Sequence, residues 1–401
     1  MMIKSVFNFL FRKGIKVPFI IILLPVFVII FAFIAGTIIE LYLEIKKSIY
    51  RPPKFASERT YTVKNYSSQA MDFHRLWDGG YLIVGFLEIN DDYDIYLIRT
   101  DSHGDTVWTK RIGNKGEEEG ISIALSPDSC FMIIGEKEMR SLYIIKVNKN
   151  GDILYSKVFN DSIYWEPIKI IRAAKTNEYL IVADIMIRFK TRRQCLLQID
   201  ESGEVRWMKR HKLGIYPRGC WKSFKDEYII YGWIPGGFLK IDREGSLIWS
   251  RKFGGRDTVV SITDVVQTSS SEYIAVGDIR VRKTGSDEDI LILKFDDDGN
   301  ILWSKSVGDS TDNTASAIVK HPSEGYMVIG SSGGRERIYL LRLNEKGDVL
   351  WSKIVGPGAP VGGMITEENE IVIIGTTTTY GRGLYSVYFV RTDTLGNIID
   401  K

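Results

Sequence analysis

One short pattern recurs along most of this 401-residue chain: Asp or Asn, then Gly three residues later, then an aromatic residue four positions after the Gly. A repeat of this kind constrains a fold more than any single motif, because every copy must form the same small structure. The glycine and aromatic positions of the complete copies are Gly104 and Trp108, Gly151 and Tyr155, Gly203 and Trp207, Gly245 and Trp249, Gly299 and Trp303, and Gly347 and Trp351. A seventh copy has Gly396, with Asp400 where the aromatic residue should be.

A second column has the same period, an apolar run that ends in a small residue. Its members are Gly85, Gly135, Ala183, Gly232, Gly277, Gly330 and Gly375. Around both columns lie short runs of Ile, Val, Leu and Tyr separated by Gly- and Asp-rich breaks, which are typical of strands and hairpins. Four strands in every forty to fifty residues is about the period of a β-propeller blade. The sequence therefore predicts an all-β fold, a seven-bladed β-propeller of four-stranded blades, with the repeat aromatic rings packed between neighbouring sheets.

Three segments resemble a known repeat family. The phrases DGGYLIVG (78–85), DIYLIRTDSHGDTVW (94–108) and DILILKFDDDGNILWSKSVG (289–308) are similar to the PQQ-like β-propeller repeat superfamily, in particular to microbial extracytoplasmic proteins built from DGGY…DxxGxxxWSK units. The resemblance covers residues 60 to 401 and implies the architecture, but propellers host many unrelated functions. Quinoprotein dehydrogenases of this superfamily usually have eight blades and often a vicinal cysteine pair. This chain has seven copies and no adjacent cysteines, so we expect no quinone cofactor.

The N-terminal region has the pattern of a membrane anchor. Residues 1–16 carry Lys4, Arg12, Lys13 and Lys16, and residues 17–39 contain no charge. At about 1.5 Å per residue, a helix of that length spans the hydrocarbon core of a bilayer, which is about 30 Å thick. A cleaved signal peptide is the alternative, but its apolar stretch is normally shorter. We expect a cytoplasmic N-terminus (1–16), a transmembrane helix (17–39), a juxtamembrane linker (40–58) and an extracytoplasmic propeller (59–401) in the cell membrane.

The ends of the repeat region predict ring closure. Residues 59–65 stand where the outer strand of a preceding copy would be, and the last copy is cut short at Lys401. An N-terminal strand that completes the last blade would remove the exposed sheet edges. The third and fourth copies depart most from the pattern, with Ala183, a basic run at 188–193, and Trp221 and Trp233. This drift marks either a binding side or relaxed constraint.

The functional residues are less legible than the fold. A net charge of +3, from 53 basic and 50 acidic residues, gives no case for nucleic acid as a partner. No catalytic constellation and no metal-ligand spacing is present among the four histidines and three cysteines. The charged or hydroxyl residues expected on the innermost strands form a sparse and mixed set: Asp72, Lys169, Lys222, Asp264 and Ser316. We therefore expect a non-enzymatic binding or scaffolding module with a protein or glycan partner on one propeller face. An enzyme or sensor with a ligand in the central channel is the alternative.

Overall fold

The structure is a computed structural model of the chain, which divides into two compact units, Met1–Ile49 and Tyr50–Lys401. It describes residues 39, 53, 57–113, 116–138, 140–159, 163–173, 177–187, 191–212, 214–233, 236–281, 287–334 and 336–399. No helix in these ranges is long and apolar enough to cross a membrane. The predicted transmembrane segment, residues 17–39, lies outside the described residues except for Ile39.

The second unit is built from strands. In chain order they are β1 (Glu58–Tyr61), β2 (Ser67–Arg75), β3 (Tyr81–Ile89), β4 (Asp92–Thr100), β5 (Thr106–Ile112), β6 (Glu118–Leu125), β7 (Phe131–Lys137), β8 (Ser141–Val147), β9 (Ile153–Phe159), β10 (Ile163–Arg172), β11 (Glu178–Ile187), β12 (Thr191–Asp200), β13 (Val205–His211), β14 (Tyr216–Lys222), β15 (Tyr228–Trp233), β16 (Gly237–Ile241), β17 (Leu247–Lys252), β18 (Thr258–Ser269), β19 (Glu272–Val281), β20 (Asp289–Asp296), β21 (Ile301–Val307), β22 (Asn313–Lys320), β23 (Tyr326–Ser332), β24 (Arg337–Leu343), β25 (Val349–Pro357), β26 (Ala359–Ile365), β27 (Glu370–Thr377) and β28 (Ser386–Asp393).

Consecutive strands pair antiparallel into four-stranded sheets. These are β2–β5, β6–β9, β10–β13, β14–β17, β18–β21 and β22–β25, each ordered along the chain. A single pair between Trp233 and Ser261 joins the β14–β17 and β18–β21 sheets into one eight-stranded sheet. The last sheet has the order β1-β28-β27-β26, so β1 pairs with the strand farthest from it in the sequence. Long-range pairing of this kind ties the start of the described propeller to its end.

The core lies between neighbouring sheets. Strands of the second and third positions, such as β7 and β8, are buried along most of their length and rich in Ile, Val and Leu. The residues of the fourth strands, such as β21, are exposed or half-buried because these strands lie at the outside of the propeller. One apolar cluster contains residues of both the β2–β5 sheet and the sheet closed by β1, among them Tyr61, Tyr81 and Phe389. Tyr81 and Phe389 meet edge to face at 5.5 Å.

This arrangement confirms the all-β fold and the β-propeller of four-stranded sheets that the repeat predicts. The propeller has two faces, the loop face and the turn face. The loop face contains the starts of the first strands and the connections from second to third strands, such as Trp233 to Gly237. The turn face contains the hairpins after the first and third strands, such as Arg75 to Tyr81.

Candidate functional site

The repeat residues lie where neighbouring sheets meet. Each repeat glycine has positive φ, from 71° at Gly396 to 85° at Gly104, as the hairpin turn requires. The aromatic ring of one sheet rests on the turn glycine of the following sheet, so that a Cβ on the glycine would lie within 3.4 Å of the ring. The pairs are Trp108 with Gly151, Tyr155 with Gly203, Trp207 with Gly245, Trp249 with Gly299, Trp303 with Gly347, and Trp351 with Gly396.

The remaining repeat glycine, Gly104, meets the ring of Phe389, and the Tyr61 hydroxyl donates a hydrogen bond to its carbonyl oxygen at 2.7 Å. The residue two places after the ring often bonds to the same following turn. Lys110 reaches Asp152 at 3.1 Å and Lys209 reaches Ser246 at 2.9 Å. The repeat positions therefore hold sheets together, and they do not converge on a ligand site.

The small-residue column has a different role, opposite a β-bulge. In the first strand of every sheet one residue is left unpaired, and the small residue of the second strand pairs with the residue just before it. At Gly277, a Cβ would lie 2.8 Å from the carbonyl carbon of Ser261 and nearer still to its oxygen. The bulge brings the two backbones too close for a larger side chain.

The bulged residues line the central channel where two cavities adjoin. They are Met71, Ile121, Ile168, Arg218, Thr263, Ser316 and Val361. All of them line both of two adjoining cavities, one of about 430 Å³ and one of about 260 Å³. Four of these side chains are apolar, and Arg218 is the charged member. The two cavities thus share these seven lining residues, and Arg218 is the one that carries a charge.

Two of the channel carboxylates are occupied in holding strands. Asp72 accepts hydrogen bonds from the Ser122 hydroxyl (2.6 Å), the Ile123 amide (3.2 Å) and Lys169 (2.7 Å). Asp264 accepts bonds from the amides of Val265 and Ile318, both at 2.9 Å. Burial raises the pKa of Asp264 to about 6 against the lowering effect of these amides.

In the sequence, these inner-strand residues form a set too mixed to predict a site. In the structure, Asp72 and Asp264 accept hydrogen bonds from the first strand of the next sheet, which gives them a structural role. Ser316 and Lys169 line the cavity of about 260 Å³, whereas Lys222 lies at the end of β14 and forms an ion pair with Asp226 at 3.1 Å. In the described residues, no group of three or more His, Cys, Asp and Glu side chains could hold a metal ion.

An exposed group of stacked side chains lies at the loop-face mouth of this channel. We define the arginine–aromatic cluster as Arg192, Tyr216, Trp233 and Arg218. The Arg192 guanidinium lies 4.2 Å from the Tyr216 ring centre, Tyr216 and Trp233 are 5.9 Å apart, and Arg218 lies 5.3 Å from the Trp233 ring. Trp233 is 38% exposed. Arg218 also lines the central channel, so the cluster reaches from the loop face into the channel.

Carboxylates fix one end of this cluster. Arg192 bonds to Asp184 at 2.6 Å and to Glu166 at 2.7 Å. Asp184 is 2% exposed, and its pKa is raised by burial, with the Arg192 hydrogen bond acting in the opposite direction. A guanidinium group held on a ring and by two carboxylates is positioned before any ligand arrives, which lowers the entropy cost of binding.

A contrasting acidic pocket lies on the same face, between the β6–β9 and β10–β13 sheets. Glu117, Glu119, Glu136, Arg140 and Tyr164 line a cavity of about 180 Å³, with Arg140 4.6 Å from the Tyr164 ring centre. Burial and then the charge of Glu119 raise the pKa of Glu136 to about 7. The loop face is therefore negative beside β6 and β7 and positive beside β12 to β14.

Sequence reasoning noted Trp233 and the basic run but missed Tyr216 and Arg218. The sequence does contain a pattern that points to Arg218. Each bulged residue stands 14 or 15 positions before the small residue of the same copy. Comparing that place across the copies gives six uncharged residues and one arginine. The stacking of Tyr216 on Trp233 depends on the antiparallel register of β14 and β15, which the sequence does not specify.

No family model matches the chain, and no curated protein matches it. Among solved structures, YCF48 bound to D1 peptide is similar at a TM-score of 0.53 with 10% identity, over 86% of this chain and 97% of that one. Sqt1 from Chaetomium thermophilum is similar at a TM-score of 0.51 with 9% identity, over 83% of each chain. At this identity the similarity supports the β-propeller fold alone.

Proposed function

We propose that this chain is a membrane-anchored, extracytoplasmic binding or scaffolding protein that holds a protein partner at the arginine–aromatic cluster. In this proposal the propeller has seven blades, β1 closes the ring, and no reaction is catalysed. The observation that carries the binding role is the exposure of Trp233 beside two arginines at the mouth of the channel. Trp and Arg are among the side chains most enriched at the centres of protein interfaces.

Trp233 differs from the tryptophans of the repeat. The repeat rings are covered by the turns of following sheets, whereas Trp233 lies outside the repeat and keeps an open face. Its place, directly after the small residue of the second strand, is taken in the other sheets by Phe86, Glu136, Asp184, Asp278, Ser331 and Thr376. The exposed ring of Trp233 is therefore a feature of this sheet and not of the repeat.

One further observation supports the proposed architecture and one supports the binding role. The described strands group into seven sets of four, and the pairing of β1 with β28 supplies the fourth strand of the last set. The solved structure of YCF48 contains a bound peptide, so one propeller of similar fold is a peptide-binding protein.

The proposal of a membrane anchor is based on the uncharged residues 17–39. Protease protection in sealed, right-side-out membrane vesicles tests the orientation of this anchor. Protease added to the medium should digest an extracytoplasmic propeller without detergent. Digestion only after detergent opens the vesicles would refute the proposed orientation.

Peptide selection on the full-length protein in detergent micelles tests the binding role. A displayed library of random 12-residue peptides is selected, and the enriched peptides are titrated by fluorescence anisotropy. Binding to Trp233→Ala should be at least tenfold weaker than to the wild type, because the exposed ring supplies the central contact.

The control is Trp77→Ala, which removes an exposed tryptophan from the turn face, where Trp77 is 57% exposed. This variant should bind as the wild type does. A selection that enriches no peptide would refute the proposed function. Equal losses in the two variants would refute the assignment of the site.

A further inference from the structure

The loop-face ends of β12, β13, β14 and β17 and the loop after β17 carry a dense group of cations. We define the basic surface as Arg192, Arg193, Arg210, Lys212, Arg218, Lys252 and Arg256. Five of these residues are exposed, and Arg192 and Arg193 are partly buried. The carboxylates close to these cations are Glu166 in β10, Asp184 in β11 and Asp257 in the loop after β17, and Asp278 in β19 lines the same cavity as Arg218.

Several contacts place these cations close together. Gln194 pairs with His211, so Arg193 and Lys212 stand side by side just beyond that pair. A Cβ on Gly214 would lie 2.6 Å from the Lys252 ammonium nitrogen, which puts Lys252 against the loop that enters β14. The Arg193 and Lys212 pair and the Lys252 side chain therefore flank Tyr216. This residue is the first of β14 and a member of the arginine–aromatic cluster.

The nearby carboxylates do not neutralise the whole surface. Glu166 and Asp184 both bond to the single residue Arg192. Against the seven cations of the basic surface, Glu166, Asp184, Asp257 and Asp278 leave a formal excess of three positive charges. Within a Debye length of about 8 Å at physiological salt, such an excess attracts an oppositely charged partner and raises its association rate.

We infer that the basic surface receives an acidic peptide segment of the protein partner, with carboxylates on its arginines and an apolar or aromatic side chain over Trp233. This inference rests on the proposed binding function and names the chemistry of the partner. The planar guanidinium group matches a carboxylate with two parallel hydrogen bonds, which gives orientation as well as affinity.

The acidic pocket favours a short peptide over an extended polyanion. Glu117, Glu119 and Glu136 lie on the same loop face as the basic surface. A nucleic acid or an anionic bilayer that covered the whole face would bring its phosphates against these carboxylates. An acidic segment of a few residues lies on the basic surface alone, and the acidic pocket repels it from the wrong position.

Three synthetic 12-residue peptides provide the test, each with one tryptophan and with four Glu, four Gln or four Lys residues at the same positions. Their dissociation constants are measured with the full-length protein in detergent micelles at about 50 and 300 mM salt. We expect the Glu peptide to bind at least tenfold more tightly than the Gln peptide at low salt, and this advantage should shrink at high salt.

Two charge-reversed variants then have the same net charge. The first combines Arg193→Glu, Lys212→Glu and Arg256→Glu on the basic surface. The second combines Lys149→Glu, Arg243→Glu and Lys346→Glu, which are exposed on the turn face. The first variant should lose at least tenfold in affinity for the Glu peptide, and the second should stay within twofold of the wild type.

The outcomes separate this inference from the proposed function. Equal binding of the Glu and Gln peptides, or preference for the Lys peptide, overturns the acidic partner while the binding role stands. Equal losses in the two charge-reversed variants also overturn it, since the effect would then come from net charge. Binding of anionic phospholipid vesicles or RNA with no binding of the Glu peptide overturns it in favour of a phosphate partner. Failure of library-selected peptides to bind refutes the proposed function itself.

Discussion

Replacing Gly277 with alanine is expected to destabilise the propeller by about 3 kcal/mol. Gly277 lies in β19 opposite the bulge of β18, and the added Cβ would stand 2.8 Å from the carbonyl carbon of Ser261 and 2.9 Å from the Cα of Ile262. Real Cβ atoms essentially never approach backbone closer than 3.0 Å, so the strand must move. Ser261 pairs with Trp233 across the joined sheets, so the movement also disturbs the channel mouth.

The size of the expected loss of stability depends on which atoms must move to make room for the added Cβ. The obstacle is hydrogen-bonded backbone, which relaxes less than the end of a side chain. Overpacking of an interior typically costs about 1–3 kcal/mol, and a backbone obstacle belongs at the upper end. The β10–β13 sheet carries Ala183 at this place and keeps its bulge, so an opposing strand can accommodate a methyl group. The expected energy is therefore the cost of displacing a strand, and the fold should survive.

Thermal unfolding of the full-length protein in detergent, followed by intrinsic fluorescence at one scan rate, measures the effect. At about 2 °C per kcal/mol for a domain of this size, the midpoint should fall by about 6 °C. Gly255→Ala is the matched control, because a Cβ added there would have no atom within 4 Å and the φ of Gly255 is not in the left-handed region. Equal midpoints for Gly277→Ala and Gly255→Ala would refute the argument from the bulge.

Three further outcomes are expected from the same structure. Trp303→Ala should cost about 2–3 kcal/mol in unfolding free energy, since its ring covers the turn of the next sheet, whereas Leu302→Ala, 48% exposed, should change it by less than about 0.5 kcal/mol. Tyr61→Phe should cost about 1–2 kcal/mol, because it leaves the Gly104 carbonyl without its 2.7 Å donor; a loss no larger than that of an exposed tyrosine such as Tyr385→Phe would contradict this. The pKa of Glu136 is raised by burial from 4.5 to about 7, so the folded state binds the extra proton and the wild type loses stability as the pH rises through that window. Glu136→Gln should therefore gain about 1–2 kcal/mol at pH 8, after allowance for partial exposure, and nothing at pH 4; denaturation at the two pH values measures it, and an equal gain at both would contradict it.

The sequence was sufficient for the strands and hairpins because each copy of the repeat carries its own turn chemistry. At Gly347, for example, the turn has a positive φ of 74°, which glycine adopts without strain. The small-residue column was visible as a pattern, but its cause was not. The close approach of Gly277 to Ser261 arises only when two strands pair with one residue left over.

The candidate site could not be assembled from the sequence for a related reason. Arg192, Tyr216 and Trp233 belong to three different strands in two neighbouring sheets, and only the register of those strands stacks them. The inner-strand residues Asp72 and Asp264 belonged to a set too sparse and mixed to predict a site. The structure gives them a role that the sequence did not show, because each accepts a hydrogen bond from a backbone amide of the next sheet's first strand.

The central claim is that a partner covers the loop face at Trp233, and hydroxyl-radical footprinting tests it most directly. The oxidation rates of Trp233 and Trp77 are compared in the full-length protein with and without a saturating library-selected peptide. Both side chains are exposed, on opposite faces, so each is the internal control for the other. The account predicts that oxidation of Trp233 slows severalfold while that of Trp77 is unchanged. Protection of Trp77 with no protection of Trp233 would contradict it.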